Sequence, residues 1–300
     1  MNDTSHPKHQ TAVEIKRKLE LQPSYKTMVE SGWDRLGNTD IANGVENWIQ
    51  TIKDGRMVLG NHEALYLAGI YGSDSRLFLW LHEGNAGLDT FKAFTGQSAS
   101  EVISQALGRT FSNVDEEALG NLPVDEQQKV AEAIRQQLDG SKLAMDFGTA
   151  LMDNFKLYNV VNGTLLTHAC VPVDEKTGEL IAPQSHIEIS TMSAEFQTQM
   201  TGKTGLEAYD IMEKMVRNRK NNRELAQEAL RFIADGSSEN MSPVWAREPF
   251  FKAMETNGEV ILNNLTVQLQ AKGMTGTINR IMVGHTPDIG GQQIGNALLG

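Results

Sequence analysis

Three short apolar stretches of this chain each run into a residue able to hold a metal ion. Arg56-Met57-Val58-Leu59 leads into Gly60-Asn61-His62-Glu63, the segment GTLLTHA (163–169) carries His168, and Arg280-Ile281-Met282-Val283 leads into Gly284-His285-Thr286-Pro287. A neutral imidazole and an amide oxygen suit borderline divalent ions such as Mn²⁺, Fe²⁺ or Zn²⁺. Read as strands of one sheet, the three stretches bring their ends to one edge, where open α/β sheets place ligands. Three of the seven histidines fall at such ends, whereas His9, His82 and His186 follow no such pattern. A site with two ions also needs carboxylates, ideally one bridging both, to offset the summed charge. Cys170 follows His168 closely but no pattern pairs a base with it, so it reads as packing beneath the site.

Helices must position these strand ends. Residues 12–21 read as a short helix stopped by Pro23, and 25–33 as a strand running into a turn. Residues 40–54 read as a helix with Asp40 as N-cap; Ile41, Val45, Trp48, Ile49 and Ile52 share one face, and Gly55 closes it. A helix over 64–71 follows the loop Gly60–Glu63. Residues 73–157 are mostly helical, with Val130, Ile134 and Leu138 four apart in the clearest segment. Residues 172–184 read as a loop, 204–234 as helix-rich and 258–271 as helical or mixed. The basic run Arg217 to Arg223 reads as a solvated helix face.

Composition bounds the rest. The chain has 300 residues, 40% hydrophobic and 22% charged, which is ample for a core. No apolar run is long enough to span a membrane, and the polar start MNDTSHPKHQ reads as no signal peptide. A single cysteine excludes an internal disulfide framework and a four-cysteine zinc site. A net charge of −11 argues against a general nucleic-acid binder. The expectation is one cytoplasmic domain over 1–300, with helical insertions at 73–157 and 190–240.

GNHEA (60–64), THA (167–169) and GHTP (284–287), in that order, resemble three signature blocks of the calcineurin-like metallophosphoesterases. SPVWARE (242–248) is similar to the W-x-R segment of the bacterial phosphoprotein-phosphatase-type branch, which includes the Shewanella-like phosphatases. WLHEGNAGLDTF (80–91) is similar to a W-x-x-x-G-G-x-x-T-[LF] stretch of the same branch. The resemblance implies an α/β fold, a β-sandwich flanked by helices. It implies a phosphomonoester hydrolase using two divalent ions, manganese first and iron or zinc next, on a phosphorylated protein or small molecule. Asn61, His168 and His285 would ligate the second ion. His62 would protonate the leaving alkoxide, oriented by Asp34, while Arg35 and Arg247 would clamp phosphate oxygens. A hydroxide held by metal would attack.

Two blocks depart from the family pattern. With Asp34-Arg35 aligned to the D-R of G-D-x-x-D-R-G, the bridging aspartate falls on Ser31; Glu30, or Asp34 itself at a slip of one, are the alternatives. The D-x-H-G block is represented by Asp3-Thr4-Ser5-His6, with Asp3 and His6 as ligands and one extra residue between them. The chain also reads as short at both ends of the family's sheet, which predicts a rearranged sheet or pairing with another chain. The alternative function is therefore an impaired relative acting as a binding or structural protein.

Overall fold

The computed structural model describes residues 41–55, 57–82, 87–284, 292–294 and 297–299. The expected helix at 12–21 and strand at 25–33 lie outside them. The described chain is mixed α/β and mostly helical. Eight helices come first: α1 (Ile41–Lys53), α2 (Asn61–Ile70), α3 (Asp74–Leu81), α4 (Gly87–Thr95), α5 (Ala99–Leu107), α6 (Glu116–Gly120), α7 (Val124–Asp139) and α8 (Lys142–Asp153). Strands β1 (Tyr158–Val161) and β2 (Thr164–Thr167) follow, then α9 (Ala194–Met200), α10 (Gly205–Arg217), α11 (Arg223–Ala234) and α12 (Glu248–Ala271), then β3 (Arg280–Val283), β4 (Gln292–Ile294) and β5 (Ala297–Leu299).

The sheet order is β1-β2-β3-β5-β4. β1 and β2 form a hairpin across Asn162-Gly163, both at positive φ (49° and 73°), the conformation a two-residue hairpin turn demands. β2 and β3 are parallel with Thr167 opposite Val283. One face is buried through Leu165, Thr167, Ile281 and Val283, while Met282 on the other is 39% exposed. That alternation is the period-two pattern of a sheet with one face against the core.

α1 matches its expected face: Val45, Ile49 and Ile52 are buried and Trp48 packs beside them. Val130, Ile134 and Leu138 of α7 are likewise buried. An aromatic cluster joins α1, α2, α4 and α8, with Phe147 at its centre. Its ring centroid lies 4.7 Å from Trp48, 5.4 Å from Tyr66 and 5.3 Å from Phe94. A partly buried ion pair ties Arg76 on α3 to Asp235 at the end of α11, and Arg135 on α7 holds Asp74 at 2.6 Å.

Three expectations are corrected. Met57–Gly60 is not a strand: it carries one sheet-like bond to the chain leading into β1, Leu59 N–H to the Lys156 carbonyl at 2.8 Å. The helix that follows begins at Asn61 rather than 64, because Gly60 takes the extended N-cap conformation (φ −95°, ψ 177°). The basic run is not a helix face but the turn joining α10 to α11. Among the described residues no helix is long and apolar enough to cross a membrane.

Phe147→Ala removes the ring that three others pack on. We expect it to cost about 3–5 kcal/mol of stability in chemical denaturation, with Phe147→Leu costing clearly less; equal, small losses would show that the cluster is not a packing centre.

Candidate functional site

The site forms where the start of α2 meets the end of β2. Gly60 is the contact point. A Cβ built on it would lie 2.6 Å from Glu63 Oε2 and 3.0 and 3.1 Å from the His168 ring atoms Cε1 and Nδ1. A side chain at this position would force the imidazole back by a few tenths of an ångström, so glycine suits the close approach. Glu63 Oε2 accepts the Gly60 N–H at 2.9 Å, which closes the first turn from within. The Glu63 carboxyl is buried, and burial pushes it up to about 7 against the opposing pull of its backbone hydrogen bonds.

The turn after β2 is fixed on several sides. The Cys170 carbonyl accepts from Thr167 Oγ1 at 3.0 Å and from the Tyr209 hydroxyl at 2.9 Å. Gly284 N–H reaches the Thr167 carbonyl at 3.1 Å and the His168 carbonyl at 3.2 Å. The parallel pairing of β2 and β3 thus places Gly284 beside the turn that carries His168. Cys170 Sγ lies 3.4 Å from the Ser242 carbonyl, which anchors the SPVWARE segment to the same turn. Cys170 is fully buried, and desolvation holds its thiol well above its ordinary value, as expected for a packing residue.

His62 faces the helical layer. Its ring stacks on Trp48 (centroids 5.8 Å, planes 23° apart) and tilts against Trp80 (5.8 Å, 45°). Trp80 Nε1–H donates to His62 Nε2 at 3.3 Å, and Thr90 Oγ1 lies 3.4 Å from the same nitrogen. An indole N–H only donates, so Nε2 is the unprotonated nitrogen and the neutral ring carries its proton on Nδ1. Nδ1 is itself shielded from solvent. Trp80 and Thr90 are the first and next-to-last residues of the WLHEGNAGLDTF segment. The helical stretch 73–157 therefore does more than cover the core: it supplies the groups around His62.

The structure brings His168 against Gly60, beside which Asn61 and His62 follow in the chain, with the His62 ring turned into the helical layer. Arg247 is exposed at the N-cap of α12, its N–H on the Ser238 carbonyl at 3.2 Å. Asp3, His6, Asp34, Arg35 and His285 lie outside the described residues, as do Glu30 and Ser31. Among the described residues no three His, Cys, Asp or Glu side chains are grouped to hold a metal ion. Asn61 and His168 are ligand types that suit a divalent ion. Glu63, Trp48, Trp80 and Thr90 are the neighbours that residue-type reasoning passed over. The signal for Glu63 was present in Gly60-x-x-Glu63, the spacing of a helix-start carboxylate that reaches back to its cap. No family model, curated relative or solved structure matches the chain.

Two outcomes follow from this geometry. Gly60→Ala should lower the melting temperature and shift the His168 imidazole resonances; unchanged His168 signals would contradict the close approach. Glu63 has a folded pKa raised above its unfolded value, so its contribution to stability is complete below about 4.5 and lost as pH rises through about 7. At about 1.4 kcal/mol per pH unit the wild type should lose roughly 3 kcal/mol across that window. Glu63→Gln should lack this loss in parallel denaturation series, and parallel curves for the two proteins would refute the assignment.

Proposed function

We propose that the chain is a metal-dependent phosphomonoester hydrolase acting on a phosphoprotein or small phosphoester. The observation that supports it most is that Gly60, His168 and Gly284, the described residues at or beside the three expected strand ends, come together: Gly60 against the His168 ring, and Gly284 on the carbonyls of Thr167 and His168. They lie far apart in sequence, and nothing in composition alone requires them to meet. On this reading the β1–β5 sheet is one layer of a metallophosphoesterase-type β-sandwich.

Asn61 and His168, with His285, Asp3 and His6, would hold two divalent ions, manganese first. When bound, the ions supply Lewis-acid charge and lower the pKa of water. The residues of the chain do the rest. His62 is the general acid for the leaving alkoxide once protonated to the imidazolium, with Asp34 orienting it. Arg35 and Arg247 clamp phosphate oxygens. The start of α2 adds the partial positive charge of a helix N-terminus on the same side.

One observation favours a second reading, that of an impaired relative which binds rather than turns over. His62 is packed between two indoles with Nε2 engaged, and the carboxyl that the described residues place beside His168 is committed to the Gly60 N–H. Hydrolysis of an aryl phosphate with Mn²⁺ separates the two. The hydrolase reading expects turnover by the wild type, loss of at least a hundredfold in His62→Ala and His285→Ala, and about two ions per chain by elemental analysis. A wild type that turns over no aryl phosphate with Mn²⁺, Fe²⁺ or Zn²⁺ overturns it in favour of the second.

A further inference from the structure

The junction of α10 and α11, from the last residue of one (Arg217) to the first of the other (Arg223), holds four cations in seven residues with no acid among them. The structure divides them into two kinds. Arg217 Nη2 bonds Glu213 at 2.6 Å and Arg219 Nη2 bonds Asp153 at 2.5 Å, so both are neutralised within the fold. Lys220 and Arg223 have no carboxylate partner among the described residues, and both line an open cleft of about 440 Å³.

The cleft lies between this turn, the C-terminal half of α2 and the corner where α7 meets α8. Ile70, Leu138 and Met145 give its lining an apolar part, and Met145 is 57% exposed and so open to a ligand. The Arg223 guanidinium sits 5.9 Å from the centre of the Tyr71 ring, which holds it at the rim. Asp139 is the one carboxylate among the described lining residues.

We infer that this cleft docks an acidic peptide segment of a partner protein, with its carboxylates on Lys220 and Arg223 and one apolar side chain against Met145 and Leu138. Two arguments select this occupant. In a chain of net charge −11, an acidic partner is repelled by most of the surface, so a local pair of unneutralised cations both steers and orients it. The combination of a polar rim with an apolar part in an open cleft suits a chain laid across it; a small molecule favours an enclosed, mostly apolar pocket. The cleft is at the opposite end of α2 from Asn61, about 15 Å along the helix axis, so the inference stands apart from the hydrolase reading.

Fluorescence anisotropy tests it, with a short fluorescein-labelled peptide of Asp and Glu around one Leu, at low and moderate salt. The wild-type chain should bind and should weaken as salt rises. The pair Lys220→Glu/Arg223→Glu should weaken binding at least tenfold, and Met145→Gln about threefold. Lys129→Glu/Lys252→Glu, with the same change of net charge elsewhere, should stay within twofold. Circular dichroism melts establish that each variant is folded. Absence of wild-type binding, equal losses in both charge reversals, or equal affinity for a peptide without the Leu overturns the inference, as does binding of anionic vesicles in place of the peptide.

Discussion

The arrangement of the candidate site depends on a steric constraint at one backbone position. Gly60 sits against the His168 ring and its own helix's Glu63 carboxyl, so close that a Cβ there would push both neighbours back. That contact sets where α2 begins, because the extended Gly60 lets the chain turn into a helix at Asn61. It also sets how α2 meets the sheet, since the ring it touches belongs to the residue after β2. Asn61 and His62 follow Gly60 directly, and the His62 ring is turned into the aromatic layer.

Two kinds of packing converge on this junction. From the sheet side, the turn after β2 is held by hydrogen bonds to a single carbonyl, that of Cys170, and by Gly284 at the end of the parallel partner strand. Polar groups in such a place are stable because each is satisfied inside the fold. From the helical side, Trp48, Trp80 and Phe147 form a layer in which His62 is the polar member. The imidazole thus belongs to the packing as well as to the candidate chemistry. Its proton is fixed on Nδ1 by an indole donor, a property that bears on both the hydrolytic and the binding reading.

Much of the helical layer was legible in the sequence because its signal is periodic. The α1 and α7 faces were readable from spacing, and so were the strands at 164–167 and 280–283, since an apolar run bounded by Gly and polar residues has few other uses. What was missed depended on local or long-range chemistry. β1 was not anticipated although Asn162-Gly163 is a strong hairpin signal. The apolar run before Gly60 read as a strand, but it finds a single bond near β1 and stays extended without a ladder. The basic run read as a helix face because charge patterning does not show where one helix stops; Asn218, Asn221 and Asn222 interrupt it, and Asn222 caps α11 through the Leu225 N–H. At the site, His168 and Asn61 were legible as ligand types, whereas the tautomer of His62 and the burial of Glu63 come from residues distant in sequence.

The proposed hydrolase reading requires a divalent ion at the Gly60–His168 junction. Paramagnetic broadening by Mn²⁺ in a ¹⁵N-labelled sample tests it most directly, because it reports where the ion sits irrespective of turnover. The account predicts that substoichiometric Mn²⁺ selectively broadens the amides of Gly60, Asn61, His168 and Gly284, and that His168→Ala removes the effect. Broadening centred elsewhere, or none at these four amides, would contradict it.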